Sequence, residues 1–318
     1  MYYAVYMKIK FTANKTTNYY YWLQALSGWD NPNNDIEVSD DVLLRAIVSL
    51  RESLERAPNP RSVLSELYTS RITTSEALEI QQLVQPAEEY FDRIWALNKD
   101  ILFTKQHDLQ HVDFNAYDRT IQSIVQFLDA QFDTTKTYTT QLLINDKNSH
   151  AVGHALRNTN YTLVMPDVSN KETAQSNTLM TVMHEYIHHV EFSSKITRPI
   201  LKNAYEKYIG NNIDSPAGHD WQSMFVEALV FSLASKRIGG LLRPLIYDKP
   251  SPSVEEMKPG FMRRVSRNDL TTYDVINWVA LHIVVDIEEY LSKGKTFDQG
   301  IADKIGKTYK EFYLTLSR

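Results

Sequence analysis

Residues 178–192 read TLMTVMHEYIHHVEF, and no proline or glycine interrupts residues 171–195, so the stretch is predicted as one helix. Leu179, Val182, Met183, Tyr186, Ile187 and Val190 form an apolar surface beside a histidine face, as in a helix buried against a sheet. Within it His184-Glu185-Tyr186-Ile187-His188 spells H-E-x-x-H. Helical geometry stacks the two histidines one turn apart, so both imidazoles can bind one Zn²⁺ while Glu185 reaches a water on that metal. With 9 histidines in 318 residues, chance supplies such a pentapeptide about 0.014 times per chain. A buried helix that carries this group constrains the fold, because a second element has to complete the site.

Catalytic zinc takes three protein ligands and keeps one position for water, so one more ligand must come from elsewhere in the chain. Glu227 is the first choice. It lies 39 positions after His188 inside WQSMFVEALVFSLAS, residues 221–235, an apolar helical run where a lone carboxylate is costly unless paired or metal-bound. His219 is a rival, since Gly218-His219-Asp220-Trp221 can place an imidazole at a helix start. Glu191, three residues after His188, is another, although three ligands from one straight helix strain tetrahedral geometry. His189 is a further candidate, and an ion pair with a buried Arg or Lys would account for Glu227 without any metal. With such a ligand set, metal-activated water attacks a carbonyl and Glu185 acts as general base, which is hydrolase chemistry.

An H-E-x-x-H helix followed by a glutamate on a second helix resembles the gluzincin-type zinc metallopeptidases. Residues 224–234, MFVEALVFSLA, are similar to the aromatic-x-E-G-L-A-x-Y-x-A helix of collagenase-like and predicted bacterial zinc proteases. Ala228 stands where that pattern has glycine, and Val230 and Phe231 replace its small and acidic residues. Residues 273–294 are similar to the tyrosine-led helix that follows the glutamate ligand, which implies that Tyr273 donates a hydrogen bond to the tetrahedral oxyanion. Among 19 tyrosines, a packing role for Tyr273 is the competing reading. Residues 154–166, HALRNTNYTLVMP, read as a strand, and the resemblance implies an edge strand that lines the cleft and pairs with an extended substrate. The resemblance spans residues 138–305. It implies a Zn²⁺ metallopeptidase acting on a peptide or protein substrate, with His184, His188 and Glu227 as ligands and Glu185 and Tyr273 as catalytic groups. The alternatives are a non-catalytic zinc-binding interaction protein on a zincin-like scaffold and a helical interaction protein with a fortuitous motif. An intact Glu185 favours the enzyme, since a scaffold has no need of a base beside the metal.

The expected fold class is α+β: a zincin-like core of small mixed sheet plus zinc helix, a mostly helical N-terminal region and a helical C-terminal subdomain. The corresponding segments are residues 1–135, 136–240 and 241–318. Residues 5–11 alternate like a strand, and residues 14–26 read as a capped helix whose Tyr19 to Trp22 aromatics pack in a core or form a binding surface. Helical periodicity marks residues 41–56, 61–69, 75–98 and 114–132, punctuated by Pro58, Pro60 and Pro86, while residues 137–144 are strand-like. Pro244, Pro250, Pro252 and Pro259 predict a loop, with Arg263, Arg264 and Arg267 solvated or touching substrate. His107 and His111 share the i,i+4 spacing without a glutamate base and read as a solvated pair, and His150 and His154 sit beside the predicted edge strand.

A net charge of -5 gives no electrostatic case for nucleic acid. The absence of cysteine excludes disulfides and thiolate zinc sites. No apolar run approaches the length of a membrane span and the N-terminus shows no signal segment, so no membrane partner and a cytoplasmic location are expected.

Overall fold

The computed structural model describes residues 7–29, 38–133, 135–145, 150–169, 171–210, 221–235, 240–267 and 270–316. The class is α+β, helices predominating over one small mixed sheet. The chain divides into two compact units, one of Ile9–Val112 with Tyr138–Asn170, the other of Met1–Lys8, Asp113–Thr137 and Lys171–Arg318. These units are cut along different lines from the three sequence segments, because the chain crosses from one unit to the other more than once.

The first unit holds α1 (Lys15–Ser27), α2 (Asp41–Arg56), α3 (Pro60–Thr69), α4 (Ser75–Val84) and α5 (Glu88–Gln110). Each of the first four starts on a residue whose side chain accepts a backbone N–H of the opening turn: Asn14, Asp40, Asn59 and Thr74. Pro86 sits in a 3-10 turn, Gln85–Ala87, that divides the predicted 75–98 helix in two. The second half then runs on to Gln110, so His107 ends a helix and is not in a loop. The aromatic cluster of α1 packs inward. Tyr19 and Tyr20 are buried, and the Tyr19 hydroxyl donates to the Val84 carbonyl at 2.6 Å.

The sheet contains β1 (Lys8–Thr12), β2 (Thr137–Leu142), β3 (Val152–Ala155) and β4 (Tyr161–Met165) in the order β1-β2-β4-β3. β2 runs parallel to β4 with Thr139 opposite Tyr161, and β3 runs antiparallel to β4 with Val152 opposite Met165. The expected single edge strand over residues 154–165 is therefore corrected. It is parts of two strands, with Asn158 at positive φ between them, and the apolar Tyr161 strand is interior while β3 forms the edge. An interior strand carries the more continuous apolar run, as YTLVM does. Asn18 of α1 ties this sheet to the helices: its amide donates to the Leu142 carbonyl at 3.0 Å and its oxygen accepts the Ile144 N–H at 2.8 Å.

The second unit is helical: α6 (Asp118–Phe127), α7 (Ala174–Phe192), α8 (Thr197–Tyr208), α9 (Trp221–Leu233), α10 (Arg243–Tyr247), α11 (Val254–Ser266), α12 (Thr272–Ser292) and α13 (Gln299–Leu316). α9 packs against α7, α8, α12 and α13. Its Met224, Phe225, Val226, Leu229, Val230 and Leu233 are all buried, the composition of a helix enclosed on most sides rather than along one stripe. The Tyr309 hydroxyl, from α13, donates to the Met224 carbonyl at 2.7 Å and holds the first turns of α9 in place.

The predicted proline loop is corrected in part: Pro250 and Pro252 lie in a non-helical link, but helices stand on both sides of it, Arg243–Tyr247 and Val254–Ser266. Pro244 occupies an opening position of α10, where its missing N–H costs nothing, and Pro259 is tolerated inside the solvent-facing α11. Arg264 is not free. Its guanidinium donates to both carboxylate oxygens of Asp274 at 2.8 Å. Among the described residues no helix is long and apolar enough to cross a membrane.

Replacing Asn18 by Ala strands a buried carbonyl and a buried N–H, at a cost of about 3 kcal/mol in unfolding free energy. Urea denaturation should register that loss, and a change within error of zero would show that the amide does not join α1 to the sheet.

Candidate metal centre

α7 carries His184, Glu185 and His188, and α9 lies against it with Glu227. The two imidazoles and the carboxylate converge. His184 Nε2 is 3.2 Å from His188 Nε2 and 3.3 Å from a Glu227 oxygen, and the other Glu227 oxygen is 3.2 Å from His188 Nε2. Ligand bonds of about 2.0 to 2.1 Å in a tetrahedron place donor atoms about 3.3 Å apart. The two nitrogens stand at that spacing, each faces a different oxygen of the Glu227 carboxylate, and with one ligand atom per residue the three lie within 4.8 Å of one another, so the group can hold a metal ion. The Glu227 side chain keeps 27 % of its exposure, which leaves the cluster open to solvent on the carboxylate side.

Tautomers follow from the contacts. His184 Nδ1 is 2.9 Å from the Ala234 carbonyl, just past the end of α9. A carbonyl only accepts, so Nδ1 carries the proton and Nε2 turns its lone pair into the cluster. α9 thus supplies both a candidate ligand, Glu227, and the carbonyl that orients another, His184. Phe231, one turn after Glu227, sets its ring edge-on to His184 at 4.8 Å, and Phe192 stacks beside His188 at 6.0 Å. The apolar flanks keep both rings in place.

Without metal, a proton on His188 compensates the Glu227 carboxylate that faces it. Burial works against a charged His188, but the Glu227 carboxylate outweighs it and pushes the imidazole up to about 9. Burial likewise works against ionised Glu227, and the neighbouring histidines hold it well below the ordinary carboxylate range.

Glu185 is buried, and its charge acts on both His188 and Tyr273. Tyr273 opens α12, which starts on a capping box: the Thr271 hydroxyl accepts the Asp274 N–H while the Asp274 carboxylate accepts the Thr271 N–H. Its ring faces outward 6.4 Å from Phe231. Desolvation first, then the Glu227 and Glu185 carboxylates, raise its hydroxyl above the usual tyrosine range.

Glu191 is fully buried but is engaged elsewhere. Arg198 of α8 places Nε 2.7 Å from one of its oxygens and donates Nη2 to the other at 2.8 Å. His189 is buried on α7 outside the converging group. His219 lies outside the described residues. His107 and His111 stack at the end of α5, exposed, with ring centroids 4.3 Å apart, and belong to the other unit. His154 is on β3 in that same unit.

Sequence reasoning missed the Ala234 carbonyl, the Arg198 partner of Glu191 and the Thr271 cap. Only the cap had a readable signal, Thr-x-x-Asp ahead of an apolar run. Comparison with family models finds no match, and comparisons with curated proteins and with solved structures find none either.

The raised His188 carries a stability consequence for the metal-free protein. Its contribution is complete below the ordinary histidine value of 6.5 and is lost as pH rises towards about 9. Depressed Glu227 acts in the opposite sense, its contribution lost as pH falls below the ordinary 4.5. Thermal melts in chelator should show Tm falling between pH 6.5 and about 9, and His188→Gln should flatten that fall. A wild-type profile flat across the window would contradict the assignment.

Proposed function

We propose that the chain is a gluzincin-type zinc metallopeptidase that hydrolyses peptide bonds of peptide or protein substrates. One observation carries the reading: His184, His188 and Glu227 bring two imidazole nitrogens and a carboxylate oxygen within 4.8 Å of one another, with Glu185 next to the first ligand on the same buried helix. Two nitrogens and a carboxylate, with no cysteine in the chain, suit Zn²⁺ in a three-ligand site better than the oxygen-rich shells of Mg²⁺ or Ca²⁺. Bound there, zinc supplies a water of near-neutral pKa and a Lewis acid for the scissile carbonyl.

The chain's own groups do the rest. A Glu185 carboxylate oxygen accepts the proton of the attacking water and delivers it to the departing amine nitrogen. Burial of Glu185 keeps bulk water from competing for that proton. His184, fixed by the Ala234 carbonyl, and His188, wedged beside Phe192, hold their lone pairs in place through the reaction. Tyr273, whose hydroxyl stays protonated at neutral pH and whose ring is exposed at the site, donates to the developing oxyanion.

Glu185→Gln keeps the shape of the side chain and removes the base. It should retain zinc at one equivalent and lose peptide hydrolysis by about 100-fold or more. Metal analysis alongside a peptide-library digest checks both halves. Wild-type protein that binds zinc but cleaves no member of the library would support the non-catalytic zinc-binding alternative, and equal activity in the variant would remove Glu185 from the chemistry.

A further inference from the structure

We propose that Gly240, remote in sequence from every ligand, is a positioning residue for the metal centre. The inference rests on the metal reading of His184, His188 and Glu227 and extends it to the residue that shapes the end of the helix behind them.

α9 ends at Leu233, and the next carbonyl, that of Ala234, accepts the Nδ1 proton of His184. The backbone returns to this end at Gly240, with φ of +60°, a conformation that a side chain disfavours. It returns closely. A Cβ at position 240 would stand 2.4 Å from the Ser232 carbonyl oxygen and 2.7 Å from that of Leu233. These are backbone atoms in the two residues before Ala234, so no side-chain rotation relieves the clash. Leu242 N–H reaches the Leu233 carbonyl at 3.4 Å, and the Gly240 carbonyl accepts from Arg243 N–H at 3.2 Å, so the returning segment is tied down on its far side.

A side chain at 240 must therefore displace the carbonyls at the end of α9. The Ala234 oxygen moves with them, and with it the hydrogen bond that fixes which way His184 turns its Nε2. Loss of such an outer hydrogen bond weakens metal binding by about 10 to 100-fold. A glycine demanded by φ alone would not do this, and the fold offers that control. Gly294, after α12, has φ of +62° with nothing within 4 Å of a Cβ.

The test compares the full-length Gly240→Ala and Gly294→Ala proteins. Zinc affinity is read by competition with a chromophoric chelator, coordination by the visible spectrum of the Co²⁺-loaded protein, and fold by urea denaturation of the metal-free chain. Gly240→Ala should bind zinc about tenfold more weakly or worse, with a shifted Co²⁺ spectrum. Gly294→Ala should lose stability with affinity and spectrum unchanged. Gly240→Asn keeps the Cβ but carries the side chain best tolerated at positive φ, and it should show the same metal defect with less loss of stability. Wild-type affinity and spectrum in a folded Gly240 variant would overturn the proposal, as would failure of both Gly240 variants to fold, which would assign the glycine to the fold instead. A wild-type chain that takes up no zinc would sink the metal reading and this inference together, an outcome distinct from either.

Discussion

Three lone pairs aimed at one point inside a helical unit cannot be left uncompensated. His184 Nε2 lies 3.2 Å from His188 Nε2, each faces a Glu227 oxygen at 3.2 to 3.3 Å, and with His184 Nδ1 protonated against a carbonyl, His188 is left to supply the proton between them. A cation can occupy the focus. In the metal-free chain a proton on His188 fills that role, and the same electrostatics that hold it there favour a divalent ion. The enclosing helices can afford the burial of Glu227 only because this compensation exists.

The frame that keeps the three atoms together is chiefly α9. The Tyr309 hydroxyl grips its beginning at Met224, Glu227 comes one turn later, and Phe231 follows against the His184 ring. The Ala234 carbonyl then closes the sequence by orienting His184. Spacing along a helix does this economically, since residues 227, 231 and 234 share one face. Neighbouring elements are fixed by ordinary capping chemistry, as where Thr271 and Asp274 start α12 and Arg264 neutralises the buried Asp274.

Much of this was legible in the residues. The helix bearing His184 and His188 and the apolar run bearing Glu227 were readable from periodicity, and the coarse α+β class from the alternation of helical and strand-like texture. What was not legible depended on pairing. The strand-like residues 154–165 look continuous in one dimension, and only hydrogen bonding reveals a turn at Asn158 that folds β3 back on β4 and makes the more apolar strand interior. The prolines between 244 and 259 suggested a loop because proline breaks helix interiors, yet one sits at a helix start and another in an exposed helix where the lost hydrogen bond is tolerated. Carbonyl ligation of His184 left no trace in the sequence, because any residue at 234 offers the same backbone oxygen.

The two glutamates flanking the second histidine in space show why one is a ligand candidate and the other is not. Glu191 has the more helix-compatible position, three residues from His188, and is the more deeply buried. Burial alone would make it the stronger candidate, but the Arg198 guanidinium pairs with it, Nη2 donating to one oxygen at 2.8 Å and Nε lying 2.7 Å from the other. A carboxylate so paired has little left to offer a metal. Glu227 has no guanidinium against it in the described contacts, only the two imidazoles, whose positive charge is conditional on a proton that a metal can replace. A permanent cation removes one carboxylate from competition and an exchangeable one leaves the other available, so which glutamate is a candidate ligand follows from the chemistry of their partners rather than from their depth.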